Sequence, residues 1–413
     1  MRNLKFFNPL SLATVAVVAA LTACDDSPVD PDDGNGTPPP ISAVALRTEG
    51  NGSVLDRFTG ELWVVGNVAY TTTWGSRVLN DVRSVGNAVK IWDVSGTTPA
   101  LIDSLIVADA FTLGDIQASD DGKLLIVATE FSPGSIVIYD LADPKKPQLI
   151  SRFTNANTDP GVHTAEVQRV NGKLYAFLCV DPSSNSPARL VIVDITNPAA
   201  PTQVFSKTMG DPYVHDVFVR DGILMAALWT EGMSIFDIGG GGKGGTVANP
   251  VFLGNVRTVG GQAHNIWWFH DKIDGTRRYA FVGEEGPGSM GSSSEGDIHV
   301  VDVSDFANPK EVAFYTVAGA GVHNFSADES RGVLFAAYYN GGVRALNVRG
   351  NLGECSSAMK SLGRCDLGKL EREVAQGLTS TGSPVFVWGV QAVGTKLYAS
   401  DMLNGLWKLE TIP

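Results

Sequence analysis

Leu190-Val191-Ile192-Val193-Asp194-Ile195-Thr196-Asn197-Pro198-Ala199-Ala200-Pro201 is the fullest copy of a phrase that keeps returning along this chain: a short apolar strand, an Asp, an aliphatic residue, then a Pro-bearing turn. Other copies read Val89-Lys90-Ile91-Trp92-Asp93-Val94, Ile136-Val137-Ile138-Tyr139-Asp140-Leu141, Ser234-Ile235-Phe236-Asp237-Ile238 and Ile298-His299-Val300-Val301-Asp302-Val303. Degenerate echoes follow at residues 344–348 and 407–410, giving seven occurrences. A unit of this size cannot bury its own apolar face, so the units must stack on one another.

Each unit opens with a short strand such as Val162-His163-Thr164-Ala165-Glu166-Val167 and turns through Gly or Asn (Asn171-Gly172-Lys173, Asp121-Gly122-Lys123, Asp221-Gly222). It continues into an apolar second strand, a variable loop, the Asp-ending third strand and an outer strand such as Pro147-Gln148-Leu149-Ile150-Ser151-Arg152-Phe153. Four strands on hairpin-length turns, with no helical periodicity between them, describe an antiparallel blade. The markers from Asp93 to Glu410 stand 47, 54, 43, 65, 45 and 63 residues apart, blade-sized throughout. The expected fold is therefore all-β: a seven-bladed β-propeller of four-stranded antiparallel blades. No room for a fourth strand remains after residue 409, while Ala43-Val44-Ala45-Leu46-Arg47 lies unclaimed before blade 1. The N-terminal strand is expected to close the last blade, removing two open sheet edges. The recurring Asp is read as scaffold, accepting turn N–H groups, with its downstream Pro (Pro99, Pro147, Pro201, Pro250, Pro309) presetting φ.

Residues 190–194 spell the signature of the LVIVD repeat family, and residues 194–201 resemble its continuation, so the chain resembles that family over about residues 55–410. The resemblance implies a bacterial, exported propeller and no particular activity. Departures fall in blade 4, where residues 239–245 interrupt the turn; in blade 6, where Asn347 replaces Asp and a Cys355 to Cys365 insertion intervenes; and in blade 7, with Glu410.

Residues 1–23 read as an export signal: Arg2 and Lys5 precede an apolar run that ends in Leu21-Thr22-Ala23-Cys24, which resembles the lipobox of bacterial lipoproteins. Cys24 is the expected lipidation site. Residues 24–40 then form a tether, because residues 25–40 hold five Asp, five Pro and almost nothing apolar. Such a segment stays extended, reaching roughly 50 Å. Residues 41–413 are the propeller. A cell-envelope location, lipid-anchored on the periplasmic or extracellular side of a membrane, follows as an expectation. A closed ring needs no oligomer, so a monomer is expected.

Cleavage before Cys24 leaves 29 basic and 44 acidic side chains, a net charge of −15. A polyanion of that size does not bind nucleic acid through its phosphates. In an oxidising compartment Cys355 and Cys365 are expected to form a disulfide, and Cys179, inside an apolar strand, to be a small buried hydrophobe.

The histidines carry the functional expectation. His163, His215, His264 and His323 occupy one repeat position, at the entry to the first strand of blades 3 to 6, with Trp388 there in blade 7 and Asp115 near it in blade 2. First strands line a propeller's axial channel, so four imidazoles should ring one mouth of it. Loops between second and third strands add Glu130, Asp181, Glu231, Glu284, Glu285, Tyr338, Tyr339, Asn340 and Asp401 on that face. The ligand-binding set read from this pattern is His163, His215, His264, His323, Trp388, Glu130, Glu231, Glu284, Tyr339 and Asp401. The four imidazoles also suit a divalent transition metal, in a geometry that looks similar to the iron site of carotenoid-cleaving oxygenases, whose sequence motifs are absent. Against this stands a scaffold reading, in which each His caps its strand against a neighbouring blade; its absence from blades 1, 2 and 7 argues for something more.

Other motifs carry less. Lys243 in the Gly-rich stretch 239–246 is followed by Gly244 rather than Ser or Thr, so that stretch reads as a flexible loop and not a phosphate loop. No Gly-x-Ser-x-Gly or His-Glu-x-x-His string occurs. The acidic segment 284–297 matches no defined calcium loop, and His270 and His299 fit no ring. Two functions remain: a membrane-anchored module that binds a protein or small molecule through its channel-mouth face, or a metal-dependent redox or hydrolytic enzyme using His163, His215, His264 and His323.

Overall fold

A computed structural model describes residues 44–286 and 294–412; the expected signal segment, Cys24 and the whole tether lie outside the described residues. The strands form seven blades of four antiparallel strands each, the blade 5 sheet being extended by two further short strands and a separate two-stranded hairpin lying beside blade 1. Blade 1 comprises Phe58–Val65, Val68–Trp74, Ala88–Asp93 and Ala100–Ile106, and blade 2 Ile116–Ala118, Leu124–Thr129, Ser135–Asp140 and Gln148–Phe153. Blade 3 comprises Val162–Val170, Lys173–Val180, Arg189–Asp194 and Thr202–Thr208, and blade 4 Asp216–Arg220, Ile223–Ala227, Met233–Asp237 and Val251–Val256. In blade 5 the strands are Ala263–Trp268, Tyr279–Glu284, Ile298–Asp302 and Lys310–Tyr315; in blade 6 they are Phe325–Asp328, Val333–Ala337, Val343–Asn347 and Glu373–Gly377. Blade 7 takes Val387–Val393, Lys396–Asp401 and Gly405–Ile412 from the end of the chain and Ala45–Gly52 from its start. That closing strand runs antiparallel to the last one, from Ala45 opposite Ile412 to Gly52 opposite Leu406. The chain is a closed seven-bladed propeller.

The apolar alternation of the repeat explains the ring. Each blade shows an apolar face to each neighbour, and seven separate clusters fill the seven joints. Phe177, Leu190 and Ile192 of blade 3 meet Val217, Leu224 and Ala226 of blade 4, and Phe281, Ile298 and Val300 of blade 5 meet Leu334, Ala336 and Leu346 of blade 6. The ring-closing joint packs Leu62, Val64, Ala69 and Trp92 of blade 1 on Tyr398 and Leu406 of blade 7. Inner strands are also stitched across joints by side chains. Gln117 Oε1 accepts Val167 N at 2.6 Å, Thr164 Oγ1 donates to the His215 carbonyl at 2.9 Å, Ser326 Oγ accepts Ala392 N at 3.0 Å and Gln391 Oε1 accepts Val64 N at 2.7 Å.

The repeated Asp does what its position requires. Asp93, Asp140, Asp194 and Asp302 each accept the N–H two residues on at 2.7–3.0 Å, and Asn347 does the same at 3.1 Å. Asp237 differs: its carboxylate gathers four N–H groups, from Gly239, Gly241, Lys243 and Gly245, at 2.7–3.1 Å. They hold its pKa near 2 although burial opposes this. The Gly-rich stretch read as a flexible loop is thus a cradle, and it is glycine-rich for close approach: a Cβ on Gly245 would stand 2.0 Å from the Asp237 carbonyl oxygen.

Two additions decorate the ring. A hairpin, Ser76–Leu79 with Val82–Val85, extends from blade 1. Within the blade 6 insertion the expected Cys355–Cys365 disulfide is formed, and Arg364–Asp366 lies parallel to the outer strand of blade 5. Cys179 is free and buried.

Asp237→Ala leaves four converging N–H groups without their acceptor and is expected to lower stability by about 3 kcal/mol in urea unfolding. Asp93→Ala, which removes a single turn contact at the surface, is expected to lower it less; equal losses would show the cradle to be dispensable.

Candidate functional site

One side chain from every blade meets at one end of the axial channel. His163 and His215 have ring centroids 4.3 Å apart, His215 and His264 4.0 Å, His264 and His323 4.2 Å, and His323 and Trp388 4.4 Å. Trp388 packs on Trp74 at 5.8 Å. Trp74 Nε1 donates to Glu130 at 3.0 Å, and Glu130 sits 2.7 Å from His163 Nδ1, completing the circuit. This is the end where the loops between second and third strands lie.

Local backbone geometry aims these groups inward. His163, His264 and Trp388 each sit where the pairing of the first and second strands slips by one residue, a β-bulge that takes the residue off the regular ladder. Glu61 lies in a comparable slip in blade 1. His215 and His323 stand just ahead of their strands and donate N–H to Ala227 and Ala337 at 2.9 and 2.8 Å. Phe131, Trp229 and Tyr339, two residues past the second strands of blades 2, 4 and 6, adopt positive φ, which is uncommon for aromatic residues. Trp229 stacks on His215 with centroids 5.3 Å apart, and Tyr339 meets His323 at 5.2 Å.

The four imidazoles are electrostatically unlike. Burial opposes charge on His163, but Glu130 on one side and Asp181, 3.6 Å away, on the other hold its pKa well above the usual range. Burial and then the neighbouring imidazoles keep His215, His264 and His323 well below it, and so neutral. His323 Nδ1 donates to the Trp388 carbonyl at 2.7 Å, a strand-capping contact with the next blade. His264 is only 2% exposed, and neither of its ring nitrogens has a partner in hydrogen-bonding geometry, although the Asn265 side chain adjoins it; the same holds for His215 Nδ1. Buried polar atoms left in that state cost about 1–3 kcal/mol each.

Beyond this ring lies a channel of about 420 Å³. Glu61, Asp115, Glu166 and Asp216 line it. Burial, then Asp115, raises Glu61 to about 8; burial, then Asp115, raises Asp216 to about 7; burial, Asp216 and Asp115 raise Glu166 as well.

The structure brings His163, His215, His264, His323, Trp388, Glu130 and Tyr339 together, and leaves three expected residues elsewhere. Glu284 turns into blade 5, where its carboxylate accepts Thr258 Oγ1 and Gly261 N and lies 3.2 Å from the fully buried His299. His299 also reaches Glu311 at 2.7 Å, beside Arg364, so it belongs to the dock of the insertion. The neighbouring Glu285 faces the ring instead, with Tyr339 OH donating to it at 2.6 Å. Asp401 is committed to its own turn, accepting Phe386 N, Leu403 N, Asn404 Nδ2 and Trp407 Nε1. Glu231 stands in the blade 4 turn, its carbonyl bound by Asn255. Asp181, expected on this face but outside the ligand-binding set, joins the site; Trp74 and Trp229 join it unexpected, an aromatic at the second-strand end being the available signal.

These features define a seven-bladed β-propeller with its polar groups gathered on the axis. The LVIVD repeat family profile matches residues 184–208 and 293–317, the third and outer strands of blades 3 and 5 with their flanks. The chain is thus a propeller that carries LVIVD-type repeats in two of its blades. No curated protein matches the chain. Among solved structures it is similar to the β-propeller domain of Cps50 (Swd1) from Myceliophteria thermophila, with 11% identity and a TM-score of 0.57 over 88% of this chain and 98% of that one, a likeness of fold alone.

Because the folded chain binds the Glu61 proton more tightly than the unfolded chain, this residue's contribution to stability is intact below about pH 4.5 and is lost as pH rises through about 8. The groups facing it are Asp115, Asp216, Asn324, Trp388 and His323. Glu61→Gln is expected to raise the melting temperature at about pH 9 and to change it little at about pH 4, where wild type is already protonated. A variant less stable than wild type at the higher pH would contradict the placement of Glu61 among like charges.

Proposed function

We propose that this protein is an exported, lipid-tethered binding module that takes a small polar or cationic molecule at the ring end of its axial channel. The single observation that carries the reading is the closed circuit of seven side chains, one from each blade, over a channel lined by four carboxylates. A pocket of about 420 Å³ is of the size that accepts small ligands. Trp74 and Trp388 offer π faces, and the acidic wall favours positive charge over negative. The tether rests on the sequence: Arg2 and Lys5, the apolar run and Cys24 support export and acylation. Among the described residues no helix is long and apolar enough to cross a membrane, so attachment in this reading comes from lipid on Cys24. The closed ring, without open blade edges at its seam, supports a monomer.

A second reading, a metal-dependent enzyme at the same ring, is favoured by one specific observation: Nδ1 of His215 and both ring nitrogens of His264 are buried with no partner in hydrogen-bonding geometry.

Native mass spectrometry of the chain extracted from its own membranes checks the first reading. A small organic molecule, one per chain, is expected on wild type and absent from Trp388→Ala. An unliganded wild type across extraction conditions would count against it. Cys24→Ala is expected to move the protein from the membrane to the soluble fraction; persistence in the membrane would remove the lipid tether.

A further inference from the structure

Two groups of potential donor atoms at the ring converge to within 4.8 Å: Glu130, His163 and Asp181, and His215, His264 and Glu285. Their chemistry differs. In the first, an imidazole lies between two carboxylates, 2.7 Å from Glu130 and 3.6 Å from Asp181, so its charge is met within the group and nothing further is required. In the second, both nitrogens of His264 and Nδ1 of His215 are buried without a hydrogen-bonding partner, in a residue pair 2% and 8% exposed.

We propose that His215, His264 and Glu285 together bind one divalent first-row transition-metal ion, with Tyr339 as the residue that positions Glu285. This narrows the metal reading of the ring and rests on it. Two imidazoles and one carboxylate form a nitrogen-rich set that suits zinc, iron(II) or cobalt(II), whereas magnesium and calcium prefer oxygen throughout. The Tyr339 hydroxyl, donating to Glu285 Oε1 at 2.6 Å, fixes one carboxylate oxygen and leaves Oε2 for the ion. His323 stays outside the set because its Nδ1 is given to the Trp388 carbonyl. Three protein donors leave a tetrahedral ion one position for a water or a ligand oxygen.

The test uses the full exported chain in detergent, stripped with chelator and titrated with cobalt(II), followed by visible d–d absorption and elemental analysis. One cobalt per chain is expected, undisturbed by excess magnesium or calcium. Glu285→Gln and His264→Asn are expected to abolish stoichiometric binding, and Tyr339→Phe to weaken it about 10–100-fold. His163→Ala is expected to leave it nearly unchanged. Because His264 is buried and its variant can lose the fold, Glu285→Gln and Tyr339→Phe, with melting temperatures measured alongside, carry the decision. Failure of wild type to bind cobalt, full binding by Glu285→Gln, or loss in His163→Ala equal to that in Glu285→Gln would each overturn the assignment. The organic ligand sought by mass in the preceding experiment is a separate readout, so either reading can fall alone.

Discussion

Everything in this molecule hangs on the hydrogen bonding of Ala45–Gly52 to Gly405–Ile412. A blade of four short strands has two apolar faces and no means of covering either by itself. Six joints can form between consecutive blades of an open chain; the seventh, with Leu62, Val64 and Trp92 against Tyr398 and Leu406, forms only when the two ends of the chain share one sheet. That same joint brings Trp74 of blade 1 to Trp388 of blade 7 and so completes the circuit on the axis. The closure that hides the sheet edges is also what assembles the site.

On that frame the ring sorts its charges. Glu130 and Asp181 flank His163 and make it the cationic member, while burial leaves His215, His264 and His323 neutral. Bulges at His163, His264 and Trp388 give these side chains positions a regular ladder would deny them. Farther along the channel, burial first and then the charge of Asp115 or Asp216 raise the proton affinity of Glu61, Glu166 and Asp216, while burial raises that of Asp115. Positive charge is therefore favoured at this end of the axis, whether it arrives as protons, a metal ion or a cationic ligand.

The architecture was legible because its determinants are local and repeated. An Asp that accepts the N–H two residues on, and Asn171-Gly172 or Asp221-Gly222 with positive φ at both residues, act within a few residues of themselves. Repetition likewise puts His163, His215, His264 and His323 in register in the sequence itself. What could not be read depends on contacts between distant segments. Glu284 and Glu285 are neighbours at a strand end, and the pleat sends consecutive side chains to opposite sides; which one faces the ring is settled by Tyr339, 54 residues on. The stretch 239–245 carries the composition of a flexible loop, and only the Asp237 carboxylate at its centre turns it into a cradle. The blade 1 hairpin and the parallel pairing of Arg364–Asp366 with blade 5 break the repeat, so the repeat could not announce them.

Closure is tested most directly by a cross-link between its two halves. Arg47 and Glu410 lie opposite each other in the seam, so the double variant Arg47→Cys with Glu410→Cys should oxidise to an intramolecular disulfide in high yield and raise the melting temperature. A yield no greater than that of a mismatched pair such as Leu55→Cys with Glu410→Cys, in a chain that still folds, would mean that the first strand does not complete the last blade.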